Sequence, residues 1–294
     1  MHYMSKVGDH MQHHRTSVEV VTFNMGGDEM ALADVLIAVG KEADLIVIGI
    51  QEAEDINWSY KTKMDQFFEQ YKCEFHSSLF APIHKTILIF IYVKKHTVPT
   101  VAKLRFKSHC IRFHVHDLRD WRIGKGAIIV NCTLPNFEPY YFIVSHFHAG
   151  ESTQRNIKQR IHDLGEIKEH IHNEADISGW CLFGDLNVRK TNDSIDKEFE
   201  DLKKTYCIFE TNPFSKIDNT YKLKPKSRSE FDSKRIASRT DRIVHNKSQH
   251  NNDQPHNIYA VVERADIDHK AAGAGSDHKA VFELFHIDWR SCIP

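Results

Sequence analysis

The stretch Trp180–Arg189 contains the residues of this chain that are best suited to chemistry. A short apolar run, the length of a buried strand, stops at Gly184 and is followed by Asp185 and Asn187. Residues i and i+2 of an extended chain project from the same face, so this carboxylate and this amide can converge on one point. Such a pair is suited to orient a water molecule or an ion. Asp and Asn are also common turn residues, so the pair alone leaves both interpretations open.

The same order, an apolar strand and then a polar side chain, recurs along the chain. Asn24, Glu52, His146 and Asp277-His278 occur at further strand ends, and Asp241-Arg242 begins another strand. Each residue alone could be a turn residue, a helix cap or a hydrogen-bonded core histidine. Together they supply acids, amides and imidazoles at successive strand ends. Oxygen ligands without cysteine favour Mg²⁺ or Mn²⁺, which share their coordination with water and substrate phosphate.

The composition indicates a globular chain without a global basic field. The 294 residues have a net charge of −1, with 27% charged and 41% hydrophobic residues. Proteins that bind nucleic-acid backbones usually present a strongly basic face, so we expect no nucleic-acid partner. Six cysteines without a CxxC pair or a zinc-ligand spacing indicate a reducing compartment. We expect a cytoplasmic monomer whose contact with membranes, if any, is peripheral.

Strand-like runs outnumber helical ones, and most pairs of strands are close in sequence. The expected strands are Val18–Phe23, Leu45–Ile50, Thr86–Val93, Val101–Phe106, Gly126–Leu134, Tyr140–Val144, Thr240–Val244, Ile258–Glu263 and Ala280–His286. Helical spacing is found in Met30–Val39, Trp58–Tyr71 and Ser152–Ile171, whereas residues 190–239 are expected to be loops with short elements. The pattern favours a mixed α/β sandwich over a doubly wound sheet. We expect one domain over residues 17–294 after a mobile His-rich tail over residues 1–16.

In order, these segments resemble the inositol polyphosphate 5-phosphatases, within the DNase-I-like superfamily of endonucleases, exonucleases and phosphatases. The matching segments are Thr22–Gly27, Gly49–Glu52, Gly124–Ala127, Ser145–Glu151 with Arg155-Asn156, Gly184–Arg189, Thr220–Lys222, Asp241–Ile243 and Ser276–Lys279. Lys125, Ser145–Gly150, Arg189 and Tyr221-Lys222 are the pieces that favour the 5-phosphatase branch. The resemblance implies a four-layer α/β sandwich, in which two mixed β-sheets pack face to face, are flanked by helices and carry the site at one edge.

The resemblance also implies a role for each polar residue of the site. The residues that match the family's metal site are Asn24, Glu52 and Asp277, and those that match its catalytic group are His146, Asp185, Asn187, Asp241 and His278. Asp185 would activate the attacking water, and Asn187 would donate hydrogen bonds to the phosphoryl oxygens. His278, oriented and kept cationic by Asp241, would stabilise the charge of the transition state, with His146 as a second phosphate ligand. A single Mg²⁺, or Mn²⁺, would neutralise charge on the phosphate.

Cations near these segments imply a polyanionic substrate, either a phosphoinositide or a soluble inositol polyphosphate. By resemblance, the substrate-binding residues are Lys125, Arg189, Tyr221, Lys222, Lys234, Arg235 and Arg242. The implied reaction is Mg²⁺-dependent hydrolysis of the 5-phosphate by direct attack of water, without a phospho-enzyme. Tyr221 and Lys222, with Lys234-Arg235, would bind the neighbouring 4-phosphate.

The chain departs from the family pattern at several positions. Lys234 and Arg235 are adjacent, where the family usually spaces its Lys and Arg two apart, which weakens the case for the 4-phosphate contact. Ala237–Thr240 replaces a Pro-small-Trp-Cys run, and Val188 stands in place of Tyr. These two changes affect packing around the site more than its chemistry. His148 stands where the family usually has a small residue.

Two other functions are compatible with the same motifs. The first is a Mg²⁺-dependent nuclease on this scaffold, because the phosphate chemistry is shared. The near-neutral net charge and the Tyr221-Lys222 segment favour the phosphatase over the nuclease. The second is a phosphoinositide-binding module that has kept the fold and lost catalysis.

Overall fold

The computed structural model describes residues 14–26, 36, 39–40, 42–53, 58–77, 86–95, 103–113, 124–150, 153–171, 177–188, 197–206, 208–209, 240–246, 258–261, 278 and 280–289. The first strands within these ranges are β1 (His14–Asn24), β2 (Leu45–Ala53), β3 (Tyr71–Ser77), β4 (Thr86–Lys94), β5 (Arg105–Arg112) and β6 (Gly126–Thr133). The remaining strands are β7 (Tyr140–His146), β8 (Gly179–Asp185), β9 (Ile208–Phe209), β10 (Asp241–Asn246), β11 (Ile258–Val261) and β12 (Val281–Trp289). The helices are α1 (Trp58–Phe67), α2 (Gln154–His170) and α3 (Lys197–Tyr206).

In the described part of the chain, these strands form two six-stranded sheets. The first sheet has the order β11-β12-β1-β2-β4-β3, and the second has the order β5-β6-β7-β8-β10-β9. β1 and β2 are parallel, as are β7 and β8, whereas the other pairs are antiparallel. Both sheets are therefore mixed, as the sequence predicted.

The buried apolar side chains form three clusters that define the layers. One cluster lies between the sheets and includes Val20, Val47, Val144 and Phe183. The other two lie on the outer faces, one against α1 and one against α2 and α3. The sheets approach closely, because a Cβ added at Gly49 would lie 2.5 Å from Phe183 Cε2. The result is the expected four-layer arrangement of helix, sheet, sheet and helix.

The helix α2 is the longest helix of the described residues. Thr153 caps its first turn, since its side-chain oxygen accepts a hydrogen bond from the Asn156 N–H at 3.3 Å. Its buried face carries Leu164 and Ile167 together with Arg160 and Asp163. None of the helices in the described ranges is long and apolar enough to cross a membrane.

Several boundaries differ from the sequence prediction. β1 begins at His14, so the last three residues of the expected tail pair with β12, and the Trp289 indole N–H donates to Thr16 Oγ1 at 2.9 Å. The strand expected over Val101–Phe106 instead runs over Arg105–Arg112. β3 and α3 were not predicted. The first 13 residues and most of the helix expected over Met30–Val39 lie outside the described residues.

Candidate active site

Polar residues from both sheets meet at one edge of the sandwich. In the second sheet, His146 pairs with Asp185 and Asp185 pairs with Asp241, so the three residues stand in one row across β7, β8 and β10. The first sheet supplies Asn24 at the end of β1 and Glu52 near the end of β2. Asn24 joins the sheets, because its Nδ2 donates to Asp185 Oδ2 at 3.0 Å and lies 3.5 Å from Glu52 Oε1. Residues predicted at separate strand ends thus share one site.

Asp185 is the centre of this cluster. Its Oδ1 accepts the backbone N–H of Asn187 at 3.0 Å, and its Oδ2 lies 3.5 Å from His146 Nε2 and 4.0 Å from His278 Nε2. Burial alone would raise the pKa of Asp185, but its contacts with His146 and His278 and the charge of Lys125 outweigh burial and bring the pKa below its ordinary value. The carboxylate is therefore ionised at neutral pH while it is almost fully buried.

The backbone around Asp185 is shaped by two unusual conformations. Gly184 has a φ of +143°, and a Cβ added there would lie 1.9 Å from the Ser145 carbonyl oxygen, so only glycine fits. Asn187 has a φ of 52° and donates from its Nδ2 to the Phe147 carbonyl at 3.0 Å. Glu52 also has a positive φ, of 54°. Non-glycine residues with a positive φ are uncommon and are concentrated at functional sites.

His278 and Asp241 form a buried pair beside Asp185. The His278 Nδ1–H donates to Asp241 Oδ2 at 2.8 Å, and the Thr240 hydroxyl donates to the same oxygen at 3.1 Å. Since the carboxylate fixes the ring through Nδ1, Nε2 is the atom that faces Asp185. Asp241 thus fixes the orientation of the His278 ring.

His146 and Lys125 form a second cationic side of the site. The Lys125 ammonium contacts His146 Nε2, and both residues are nearly fully buried. Burial and the Lys125 charge lower the pKa of His146, although Asp185 and Glu52 oppose this shift. The lowered pKa leaves the imidazole neutral at pH 7. The positive charge on this side of the site is that of Lys125.

Buried charged residues hold the loop that follows His146, and the sequence analysis did not identify them. Asp163 accepts from the backbone N–H of His148 at 3.0 Å and from its ring Nδ1 at 2.8 Å. Arg160 donates to the His148 carbonyl at 3.2 Å and, through Nη2, to Glu198 at 2.9 Å. The sequence feature that could have indicated this network is the presence of two charged residues on the buried face of α2. The network supports the Phe147 carbonyl that binds Asn187.

Other predicted residues are not brought into this cluster. Arg242 is fully buried on the outer face of the second sheet, where its guanidinium carbon lies 3.8 Å above the Phe199 ring of α3. Neighbouring residues of a strand face opposite sides, so Asp241 and Arg242 could not both face the site. Asp277, Arg189, Tyr221, Lys222, Lys234 and Arg235 lie outside the described residues.

The donor set fits a divalent cation. Glu52 and Asp185 converge on the Asn24 amide, and Asp185, Asp241 and His278 offer ligand atoms that lie within 4.8 Å of one another. Asn24 Oδ1 accepts the Gly26 N–H at 3.1 Å, so Asn24 presents nitrogen rather than oxygen to the two carboxylates. In this arrangement it holds the carboxylates in place, and the ligand oxygens available are those of the carboxylates. Such ligands are preferred by Mg²⁺, Mn²⁺ and Ca²⁺.

Comparison with solved structures identifies this architecture as the DNase-I-like fold. The inositol polyphosphate 5-phosphatase domain of SPsynaptojanin, in complex with inositol (1,4)-bisphosphate and calcium ion, is 17% identical with a TM-score of 0.65, over 95% of this chain and 87% of that chain. TDP2 of D. rerio, complexed with a single-strand DNA product, is 18% identical with a TM-score of 0.58, over 91% and 98%. Cimex nitrophorin in its ferrous NO complex is 17% identical with a TM-score of 0.56, over 93% and 99%.

Comparison of the sequence with curated proteins found no match. Comparison with family models was more specific. Residues 21–212 match the model of Endonuclease/Exonuclease/phosphatase family 2, which covers well over half of the chain. That region includes the described site residues from Asn24 to Asn187. The chain therefore belongs to endonuclease/exonuclease/phosphatase family 2, in a superfamily whose members are mostly phosphodiesterases and phosphatases.

Proposed function

We propose that this protein is a Mg²⁺-dependent phosphatase that removes the 5-phosphate from phosphoinositides or soluble inositol polyphosphates. The observation that carries the proposal is the buried, ionised Asp185 between the His278–Asp241 pair and the Lys125–His146 pair. A carboxylate flanked by cationic and hydrogen-bonding groups suits a water molecule that attacks a phosphate. The proposed mechanism uses neither a serine or cysteine nucleophile nor a phospho-enzyme.

Asp185 orients the attacking water and takes its proton as the bond to phosphorus forms. The lowered pKa of this carboxylate makes it a weak base, so its main contribution is to aim the water. His278 donates from Nε2 to the phosphoryl oxygens, because Asp241 holds its Nδ1–H. Asn187 uses one of its two Nδ2 hydrogens on the Phe147 carbonyl, and the other is left for a phosphoryl oxygen.

Lys125 supplies the fixed positive charge for the reacting phosphate. It is only 3% exposed, and a buried cation interacts strongly with an anionic substrate because little water screens it. Glu52 would hold the Mg²⁺, with Asn24 close by, and the ion would neutralise charge on the phosphate and help the leaving oxygen to depart. Mn²⁺ has similar ligand preferences and would replace it.

An inositol phosphate substrate is supported by the segments around Lys125 and Ser145–Gly150, and by the ligand of the similar synaptojanin domain. A second candidate function is DNA hydrolysis, because the similar TDP2 was solved with a single-strand DNA product. The net charge of −1 favours the first candidate, since binding of the DNA backbone depends on many phosphate contacts.

The test is a phosphate-release assay across inositol phosphates and phosphoinositides, with and without Mg²⁺, beside a DNA-cleavage assay. We expect Mg²⁺-dependent release from substrates that carry a 5-phosphate, no cleavage of DNA, and a loss of at least about 10²-fold for Asp185→Asn. Asp288→Asn is the matched control, since this exposed acid on β12 lies far along the strand from the site. Cleavage of DNA without release of phosphate would support the nuclease instead. Lipid binding without turnover would support a non-catalytic module.

A further inference from the structure

Arg112 stands in the same row of the second sheet as the catalytic residues. It is the last residue of β5 and pairs with Gly126 of β6, which in turn pairs with His146 of β7. From there, the row continues through Asp185 and Asp241. Strands in a sheet are about 4.8 Å apart, so the Cα atoms of Arg112 and His146 are about 10 Å apart. The motif analysis of the sequence did not single out this arginine.

Arg112 and His146 also share a face of the sheet. On β5, Phe106 packs against the cluster between the two sheets, and residues that differ by an even number face the same way. On β7, Tyr140, Phe142 and Val144 belong to that cluster and have the same parity as His146. The side chain of Arg112 therefore leaves the sheet on the side of the site. Arg112 is exposed, whereas His146 and Lys125 are buried, so it lies at the rim.

The residue between these two positions is a glycine. Gly126 adds no side chain to the row, so nothing from β6 itself separates Arg112 from His146. The Lys125 ammonium reaches His146 from the adjacent backbone position. Two cations thus lie on the side of the row away from Asp241. Lys125 is buried beside His146, and Arg112 is exposed further out. An arginine can bind a phosphate through two parallel hydrogen bonds.

We propose that Arg112 binds a second phosphate of the substrate, on the side of the reacting phosphate that faces away from Asp241. The inference rests on the proposed function and adds a residue that binds its substrate. Arg112 acts on substrate affinity, because it is too far along the row to touch the reacting atoms. An exposed cation on a β5 edge could also serve only to discourage strand pairing, and the control below separates these roles.

The test compares Arg112→Gln with Arg105→Gln, which removes the exposed arginine at the other end of the same strand. We expect Arg112→Gln to raise KM for a bisphosphorylated substrate about tenfold with kcat within twofold, since a hydrogen bond to a charged group is lost. Its KM for a ring that carries only the reacting phosphate should move less than twofold. Arg112→Lys should recover part of the affinity, and Arg105→Gln should match the parent protein.

An equal rise in KM for both substrates, a fall in kcat alone, or the same loss in Arg105→Gln would overturn the proposal. Calorimetric titration of inositol (1,4)-bisphosphate into Asp185→Asn, with and without Arg112→Gln, needs no turnover. A tenfold weaker Kd for the double variant supports the role of Arg112 even if no phosphate is released in any assay, and equal Kd values contradict it. Failure of the phosphatase function is thereby distinguished from failure of this inference.

Discussion

Strand β10 carries one half of a buried histidine–carboxylate pair near each of its ends, and the two pairs do different things. At its start, Asp241 Oδ2 binds His278 Nδ1 at 2.8 Å. Towards its other end, His245 Nε2 lies 3.1 Å from Glu283 Oε2 on β12. Both pairs are buried between the sheets. Their chemistry is nearly the same, so any difference in role must come from what surrounds them.

The surroundings of the two histidines differ sharply. The Nε2 atom of His278 faces Asp185 Oδ2 at 4.0 Å, among polar groups that a substrate could contact. His245 packs edge-on against the Phe285 ring, with 4.7 Å between ring centroids, and stands opposite Cys181 on β8. Burial would lower the pKa of His245, but Glu283 and Cys181 raise it well above its ordinary value. His278 thus lies where a substrate could contact it, whereas His245 and Glu283 form a locked ion pair enclosed by the core.

The largest effect is expected at the reactive pair. His278→Ala should lower kcat by about 10²- to 10⁴-fold, because a positioned hydrogen-bond donor to the phosphate is removed. The melting temperature should fall by only about 2–4 °C, since the Thr240 hydroxyl still donates to Asp241 Oδ2 at 3.1 Å and keeps that buried carboxylate hydrogen-bonded. The exposed His162 on α2 supplies the control variant His162→Ala. A collapse of stability in His278→Ala would erase the distinction between the two pairs.

The locked pair should respond in the opposite way. His245→Leu leaves Glu283 buried without its cation, so urea unfolding should show a loss of about 3–5 kcal/mol, with kcat of the folded protein unchanged. The double variant His245→Leu with Glu283→Leu should be near the parent stability or above it, because neither charge then has to be buried. A double variant as unstable as the single one would mean that the pair itself stabilises the fold.

A smaller effect is expected at Glu19, a buried carboxylate that binds the Gly40 N–H at 2.9 Å. Burial raises the pKa of Glu19 from 4.5 to about 7, although that hydrogen bond opposes the shift. The folded state therefore holds the proton more tightly than the unfolded state. This stabilisation is complete below pH 4.5 and is lost as the pH rises through 7.

Glu19→Gln, which keeps an acceptor for Gly40, should match the parent protein at pH 4.5 and exceed it at pH 8. The expected difference at pH 8 is on the order of 3 kcal/mol. Thermal unfolding measured across this pH range checks the prediction, with Asp288→Asn as an exposed control. A gain that does not change with pH would show that Glu19 remains ionised in the folded protein.

The sequence predicted the layers of the fold and the strand ends that meet at the site, because both depend on local patterns. Apolar runs such as Leu45–Ile50 and Tyr140–Val144 are buried on both faces, and each is followed by its polar residue. The assignment of the site depended on a short motif at each strand end. Parallel pairing of β7 and β8 then brings His146 level with Asp185.

What the sequence could not predict depends on partners that are distant along the chain. β3 reads as a mixed polar segment, and only its pairing with β4 makes it a strand. Arg160 interrupts an apolar stripe and is explained by Glu198 on another helix. Arg242 is buried under Phe199 because its face of β10 is turned outward. The local sequence pattern does not determine which face of the strand is turned outward. Arg112 has no motif, and only the register of three strands gives it a role.

The Asn24 amide is the point at which the two halves of the candidate site are joined. Asn24 and Glu52 belong to one sheet and Asp185 to the other, and a single amide nitrogen reaches both carboxylates. A slide of one sheet over the other by a fraction of a residue would separate these atoms while every backbone ladder stayed intact. The proposed activity therefore depends on how the two sheets are aligned, and a compound bound between the sheets would lower it without entering the site.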